Sequence, residues 1–135
     1  MTERISRMLA DGPPGTGLMP MELEAEDFHS PLPRQHIHFA FTDAALGLKV
    51  GTWDTTSMQE AFGPYPGEEF IVVLVGNFAI IDGKGEGTPV EAGQSVILRD
   101  GAQVSWVEAG DLRKFFVVVD DLGMPMPQDD TSGEG

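Results

Sequence analysis

The sequence predicts an all-β domain, and three observations support this fold class. Short apolar segments recur at near-regular intervals from residue 36 to residue 119, and glycine or aspartate bounds each one. Turn clusters such as "DGKGEG" at 82–87 separate them, and no amphipathic pattern long enough for a major helix follows residue 12. Many short strands with Gly-rich turns are typical of a sandwich or a barrel.

Two segments predict the first strands of this domain. The segment "HIHFAFT" alternates in polarity, and "LGLKVGTW" places Lys49, Gly51 and Trp53 on one face of a strand. The later strands are predicted from "EFIVVLV", "FAIID", "QSVIL", "QVSWVE" and "LRKFFVVV". The uninterrupted run "EFIVVLV" indicates a strand buried on both faces, and Gly76 and Asn77 indicate a two-residue hairpin after it.

Three regions are predicted along the chain: an arm over 1–35, a β-barrel over 36–120 and a flexible acidic tail over 121–135. Ile5, Met8 and Leu9 recur at helical spacing, which predicts a short helix in the arm. The stretch "GPPGTGLM" at 12–19 has the glycine spacing of a phosphate-binding loop but lacks its Lys and hydroxyl residues. We interpret it as a joint, and Leu18, Met19 and Met21 as apolar anchors.

Composition excludes several functional classes. The 135 residues suit one domain, and 41% of them are hydrophobic, which is enough for a core. A formal net charge of −14 argues against nucleic acids and anionic membrane surfaces as partners. No cysteine is present, so disulfides and thiolate chemistry are excluded. No segment has the pattern of a signal peptide or a membrane span, and we expect a cytoplasmic protein.

The spacing of one glutamate and three glycines resembles that of the cupin family. The first cupin motif, G-x5-H-x-H-x3,4-E-x6-G, is matched by Glu69 and Gly76. The second, G-x5-P-x-G-x2-H-x3-N, is matched by Gly93 and Gly101. The strings "VGTWDTT", "EEF", "VSWVE" and "LRKFFVV" are similar to the branch that includes ureidoglycine aminohydrolase and the ethanolamine-utilisation cupin. The likeness covers roughly residues 46–119 and implies a single-domain jelly-roll barrel that forms a homodimer by exchanging strands or arms.

The positions that hold metal in this family are mostly replaced. The first-motif histidines would fall among Phe62, Gly63, Pro64 and Tyr65, and Val104 stands at the second-motif histidine. The branch's manganese ligands correspond to Gly63, Tyr65 and Glu69. One carboxylate cannot supply the three or so protein ligands that a catalytic metal needs, so no metal or other cofactor is expected. His36 and His38 share a strand face, but we interpret them as surface or interface residues, with a surface site involving His29 as the alternative.

The resemblance implies that the Glu69 side chain points into the barrel mouth. In apolar surroundings its carboxylate must have a partner or be protonated. Lys49, the Tyr65 hydroxyl and the tryptophan N–H groups are the candidate partners. Arg113 and Lys114 lie on opposite faces of their strand, and a surface ion pair is expected for each. Strand parity places Val75 inward as well. The pocket is predicted from Trp53, Trp106, Lys49, Val104, Ile71 and Val73, with core packing of the two tryptophans as the alternative.

Three functions follow as hypotheses. The first is metal-free binding of a small molecule in the barrel. The second is a metal-independent lyase, isomerase or hydrolase that uses Glu69 and Tyr65 as acid and base. The third is the manganese-dependent aminohydrolase chemistry that the resemblance implies.

Overall fold

The computed structural model describes residues 5–65 and 67–119. The tail predicted over 121–135 and the first four residues of the predicted helix lie outside these ranges. The strands are β1 (Met19–Pro20), β2 (Gln35–Asp43), β3 (Leu48–Thr55), β4 (Met58–Gln59), β5 (Gly63–Pro64), β6 (Glu68–Val75), β7 (Asn77–Asp82), β8 (Gly87–Glu91), β9 (Ser95–Leu98), β10 (Gln103–Glu108) and β11 (Leu112–Val119). A single 3₁₀ turn, Ala25–Asp27, precedes β2 among the described residues.

The strands form two antiparallel sheets. The larger has the order β1-β2-β3-β11-β6-β9, and the smaller has the order β4-β10-β7-β8, with β5 pairing to β10. Alternate side chains of each strand enter the space between the sheets. The prediction of an all-β jelly-roll domain is confirmed. The core consists of Trp53, Met58, Ile71, Val73, Phe78, Ile80, Val90, Leu98, Trp106, Leu112 and Phe116.

Strand β6 has one buried face rather than two. Ile71 and Val73 have almost no exposed surface, whereas Phe70 on the opposite face is 42% exposed. Val75 is 55% exposed at the end of the strand, so the inward position predicted for it is wrong. The continuous apolar sequence therefore covers both a core face and an open outer face.

The hairpin predicted at Gly76 is also wrong. Strand β6 pairs with β11 and β9, while β7 pairs with β10 and β8 in the other sheet. Gly76 has φ +85°, and a Cβ there would lie 2.1 Å from the carbonyl oxygen of Asp111. Glycine is needed because the chain turns sharply against Asp111 and changes sheets instead of folding back. The turn at 82–87, by contrast, does join a hairpin, β7 to β8.

The N-terminal arm is extended along the barrel. Residues 5–9 are not helical, so the helix prediction is wrong for this part. The carbonyl oxygen of Leu9 accepts a hydrogen bond from the hydroxyl of Thr52, and Arg113 binds both the Ala10 carbonyl and Asp11. Contacts with the sheet thus replace the local hydrogen bonds of a helix. Farther along the arm, β1 pairs with β2, and this pairing attaches the chain at Met19 to the same barrel.

No helix among the described residues is long and apolar enough to cross a bilayer.

Candidate functional site

A chain of three polar side chains crosses the barrel interior. The Nζ of Lys114 lies 2.6 Å from Oε2 of Glu69, and the Tyr65 hydroxyl donates a hydrogen bond to Oε1 of the same carboxylate. Glu69 is 3% exposed and Lys114 is 5% exposed. Two buried charges of opposite sign are therefore paired, and both carboxylate oxygens have a partner.

Aromatic rings surround the ammonium group. The Lys114 Nζ lies 4.5 Å from the ring centroid of Trp53 and 4.4 Å from that of Trp106. The Trp106 ring is stacked with Phe78 and with Tyr65, at centroid distances of 4.6 and 6.4 Å. Cation–π attraction strengthens when the cation is desolvated, so these rings help to offset the cost of burying Lys114.

Strand register explains why Lys114 enters the barrel. Lys114 lies between Trp53 of β3 and Val73 of β6, whose side chains belong to the inner face. The surface ion pair expected for Lys114 is wrong, because alternation along β11 directs it inward. Arg113 faces outward, as expected, and pairs with Asp11 and Asp54 at 2.5 and 3.1 Å.

The other predicted pocket residues lie in or beside the same interior. Trp53, Trp106, Ile71 and Val73 belong to the packed core, and Val104 packs against it. Lys49 is half-buried on the inner face of β3, in one cross-strand row with Val118 and Glu69. The ammonium that the structure brings to Glu69 is that of Lys114. Sequence parity gave the correct face for Lys49 but could not say which inward lysine reaches the carboxylate.

Glu60 is a site residue that the sequence did not indicate. It faces Lys114 and Glu69, and its backbone is held by hydrogen bonds to Trp106 and Ser105. Burial raises the pKa of Glu60 from 4.5 to about 7, Lys114 opposes the rise, and the negative charges of Glu69 and Asp27 add to it. Such a carboxyl group can exchange a proton near neutral pH. Its segment carries no motif that would reveal this.

A cavity of about 510 Å³ opens beside Glu60. The arm forms one wall, and the segment from Glu60 to Phe62 forms another. Its lining combines apolar side chains with four carboxylates. The lining residues are Met21, Glu22, Leu23, Glu24, Asp27, Phe28, Gln35, Glu60, Ala61 and Phe62. The arm, which was predicted only to anchor itself, therefore helps to build the candidate site.

Two further polar groups are buried without a hydrogen-bond partner in the described part of the chain. One is the indole Nε1 of Trp106, beside Lys114, and the other is the carboxyl group of Glu108. Burial raises the pKa of Glu108 to about 7, and the Gly110 backbone opposes this only in part.

The residues at the family's metal positions do not fit a metal ion. Gly63 and Val104 offer no side-chain ligand, and the ammonium of Lys114 occupies the open side of Glu69. Among residues 5–65 and 67–119, no group of three His, Asp or Glu side chains could hold a cation. His36 instead pairs with Asp54 at 2.9 Å on the outer side of the barrel.

Comparisons with known proteins agree with this fold. No family model and no curated protein matches the sequence. Among solved structures, a protein of unknown function from Pseudomonas syringae, assigned to the DUF861 family, is 28% identical and has a TM-score of 0.71. The match covers 75% of this chain but only 43% of that one, so this chain spans less than half the length of that relative.

Two more distant structures show the fold alone. A cupin 2 conserved barrel domain protein from Rhodopseudomonas palustris is 15% identical, with a TM-score of 0.61, over 87% of this chain and 82% of that one. A putative ethanolamine utilization protein from Salmonella typhimurium is 15% identical, with a TM-score of 0.56, over 64% and 70%. The chain has the cupin jelly-roll fold, and its solved neighbours are proteins of the cupin superfamily.

Proposed function

We propose that this protein binds a small organic molecule at the barrel without using a metal ion. The ligand occupies the cavity beside Glu60, whose carboxyl group interacts electrostatically with the buried pair of Lys114 and Glu69. The observation that carries this proposal is the buried ion pair, in which Lys114 lies 2.6 Å from Glu69. A fixed ammonium in this position supplies the positive charge that a metal would otherwise bring to the carboxylate.

The free energy needed to bury the polar chain of Lys114, Glu69 and Tyr65 supports a functional role for these residues. A buried ion pair is often no more stable than apolar residues of similar volume, so stability alone gives little reason to place one in a core. Here the ammonium lies near two tryptophan rings, and the indole N–H of Trp106 has no hydrogen-bond partner among the described residues. Rigid aromatic walls with a few oriented polar groups are the usual composition of a small-molecule site.

The cavity wall limits the class of ligand. Glu22, Glu24, Asp27 and Glu60 contribute carboxylates, while Met21, Leu23, Phe28 and Phe62 contribute apolar surface. An anion would be repelled and would have to force protonation of Glu60. Neutral or cationic molecules with an apolar part are therefore favoured.

Thermal unfolding in the presence of a ligand panel tests the proposal. Untagged protein is screened against neutral, cationic and anionic small molecules, because a ligand that binds only the native state raises Tm. A neutral or cationic hit should lose its effect in Glu60→Gln or Phe62→Ala and keep it in Glu86→Gln, which changes an exposed turn residue. Hits confined to anions, or hits insensitive to Glu60 and Phe62, contradict the site.

A metal-independent enzyme is the second candidate, and the contact of Tyr65 with Glu69 favours it. A hydroxyl that donates to a buried carboxylate can pass a proton to a substrate and recover it. If a hit from the panel is turned over, Glu69→Gln and Tyr65→Phe should lower kcat much more than they alter KM. Equal loss of binding in both variants would indicate a binding role only.

Manganese-dependent aminohydrolase chemistry is the third candidate. Only Glu69 and Tyr65 of the corresponding positions offer an oxygen, and Lys114 competes for Glu69. Elemental analysis of untagged protein is the test: stoichiometric manganese that is lost in Glu69→Gln would overturn the metal-free proposal and restore this one.

A further inference from the structure

A second cavity, of about 450 Å³, opens on the outer side of the larger sheet, at the end where β2 and β11 begin and β3 and β6 end. It shares no lining residue with the cavity beside Glu60. Its volume falls within the range of about 300–1,000 Å³ that is usual for small-molecule sites. We call this cavity the outer cleft. Its lining residues are Arg34, His36, Asp54, Thr55, Thr56, Val75, Asp111, Leu112 and Arg113.

Ion pairs within the sheet form the floor of the outer cleft. His36, Asp54 and Arg113 lie side by side on three neighbouring strands, because His36 and Arg113 both pair with Asp54 in the strand register. Nδ1 of His36 lies 2.9 Å from one carboxylate oxygen of Asp54, and Nη2 of Arg113 lies 3.1 Å from the other. Nη1 of Arg113 donates to Asp11 and to the Ala10 carbonyl of the arm. The charges of the floor are therefore already compensated and held in place.

Two other charged side chains of the outer cleft are unpaired in the described part of the chain. Neither the guanidinium of Arg34 nor the carboxylate of Asp111 has a hydrogen-bond or ion-pair partner among residues 5–65 and 67–119. Arg34 immediately precedes β2, and Asp111 immediately precedes β11. A positive and a negative group from separate elements thus line one cavity, and a ligand that carries both charges would complement them.

The backbone fixes the positions from which these two side chains extend. The N–H of Arg34 donates to the Thr56 hydroxyl at 2.9 Å, and the Arg34 carbonyl accepts from the Thr56 N–H at 3.1 Å. The Asp111 carbonyl packs so closely against Gly76 that a Cβ on this glycine would lie 2.1 Å from its oxygen. Binding loses less conformational entropy when the charged groups stand on an ordered backbone.

We infer that the outer cleft binds a zwitterion, namely an amino acid with an apolar side chain. Its carboxylate pairs with Arg34, whose planar guanidinium matches the two oxygens of a carboxylate, and its ammonium pairs with Asp111. Val75 is 55% exposed and supplies apolar surface for the ligand's side chain. A simple anion would be repelled by Asp111 and a simple cation by Arg34, so the zwitterion is preferred to either. This site is separate from the cavity beside Glu60 and does not depend on the proposed function.

Isothermal titration calorimetry of the untagged full chain tests the inference. The probes are L-leucine, L-methionine and L-phenylalanine, tested apart from the ligand panel for the cavity beside Glu60, and at least one of them should bind. Its analogues without the ammonium or without the carboxylate, which for leucine are isocaproate and isoamylamine, should bind at least about tenfold more weakly, the loss expected for one charge-assisted hydrogen bond. If none of the three amino acids binds, or if either analogue binds as tightly as its amino acid, the inference is overturned.

Two variants assign the charges of the ligand to the two side chains. Arg34→Gln should weaken the amino acid at least about tenfold without weakening the amine, and Asp111→Asn should weaken it similarly without weakening the carboxylic acid. A general structural effect would instead weaken all the ligands alike. Arg99→Gln and Glu86→Gln are the matched controls, because both change exposed side chains outside the cleft. Amino-acid binding that is unchanged in both cleft variants, or that is lost in Glu60→Gln, contradicts the site.

Discussion

Lys114 and Glu69 form a buried ion pair inside the barrel, with 2.6 Å between Nζ and Oε2. The two residues belong to adjacent strands, but they are not opposite each other: Glu69 pairs with Val118, and Lys114 pairs with Val73. The long lysine side chain therefore runs along the interior, past the two tryptophan rings, to reach the carboxylate. The pair links the apolar core to the candidate site.

Breaking this pair on one side should destabilise the protein strongly. Lys114→Met removes the ammonium 2.6 Å from the buried Glu69 carboxylate and leaves the Tyr65 hydroxyl bound to it, and we expect a loss of about 3–5 kcal/mol in the free energy of unfolding. Removing both charges, as Lys114→Met with Glu69→Gln, should cost less than the sum of the two single changes, because neither charge is then left alone. Urea denaturation of the four proteins measures the coupling.

If the stability losses of the two single variants simply add in the double variant, the two charges act independently in the folded protein. Arg99→Met provides the matched control, since Arg99 pairs with Glu68 at the surface. Exposed pairs contribute at most about 1 kcal/mol, so this change should have little effect.

Glu60 should titrate near neutral pH, and its pKa should respond to its neighbours in opposite directions. Burial raises the pKa of Glu60 to about 7, Lys114 opposes that rise, and Glu69 adds to it. Lys114→Met should therefore move the pKa of Glu60 upward, and Glu69→Gln should move it downward. Carboxyl ¹³C chemical shifts followed against pH measure both, with Glu60→Gln identifying the resonance. If the pKa of Glu60 moved in the same direction in both variants, the proposed electrostatic contact would be contradicted.

Glu108→Gln should make stability less dependent on pH. The pKa of Glu108 is about 7 in the native protein and 4.5 in the reference state, so the native state binds more protons between these values. Its contribution is fully present below pH 4.5 and is lost as pH rises through 7. Glutamine is uncharged at every pH, so the variant should lose less stability than the wild type between pH 5 and pH 8.

Urea midpoints at pH 5 and pH 8 give the comparison, with Glu86→Gln as an exposed control. Because Glu60 shifts in the same direction, Glu108→Gln should remove only part of the slope. An unchanged slope would mean that Glu108 is hydrated in solution.

The sequence predicted the strands well because alternation and turn residues are local signals. It predicted the fold because the spacing of Glu69, Gly76, Gly93 and Gly101 is a property of the whole barrel. The partner of a buried side chain was harder to predict, because it depends on how far a neighbouring side chain extends as well as on the face it occupies. Parity gives a face, and both Lys49 and Lys114 lie on inner faces, but only the fold shows that Lys114 extends to Glu69.

The remaining errors share a physical cause, which is that tertiary contacts overrode local patterns. Ile5, Met8 and Leu9 have helical spacing, yet Thr52 takes the Leu9 carbonyl as its acceptor. Gly76 carries a hairpin signal, yet its close contact with Asp111 turns the chain into the other sheet. The raised pKa of Glu60 depends on residues far away in sequence, so no local motif could have revealed it.

Gly12→Ala should loosen the arm, which gives the "GPPGTGLM" stretch a structural role. Gly12 has φ +77°, and a Cβ there would lie 2.5 Å from the carbonyl carbon of Gly17. Gly15 has φ +87° but faces open space, so Gly15→Ala is the matched control that pays only the backbone cost of about 1–2 kcal/mol. The difference between the two variants isolates the clash within the turn.

Amide hydrogen exchange at Met21 measures the effect on the arm, since its N–H donates to the Gln35 carbonyl where the arm joins the barrel. Exchange should accelerate more in Gly12→Ala than in Gly15→Ala, while amides in β11 keep their protection. Because Met21 lines the cavity beside Glu60, Gly12→Ala should also weaken any ligand found there. Equal exchange in the two variants would mean that the turn tolerates the added methyl group and that the other contacts of the arm, at Thr52, Arg113 and Gln35, are enough to hold it.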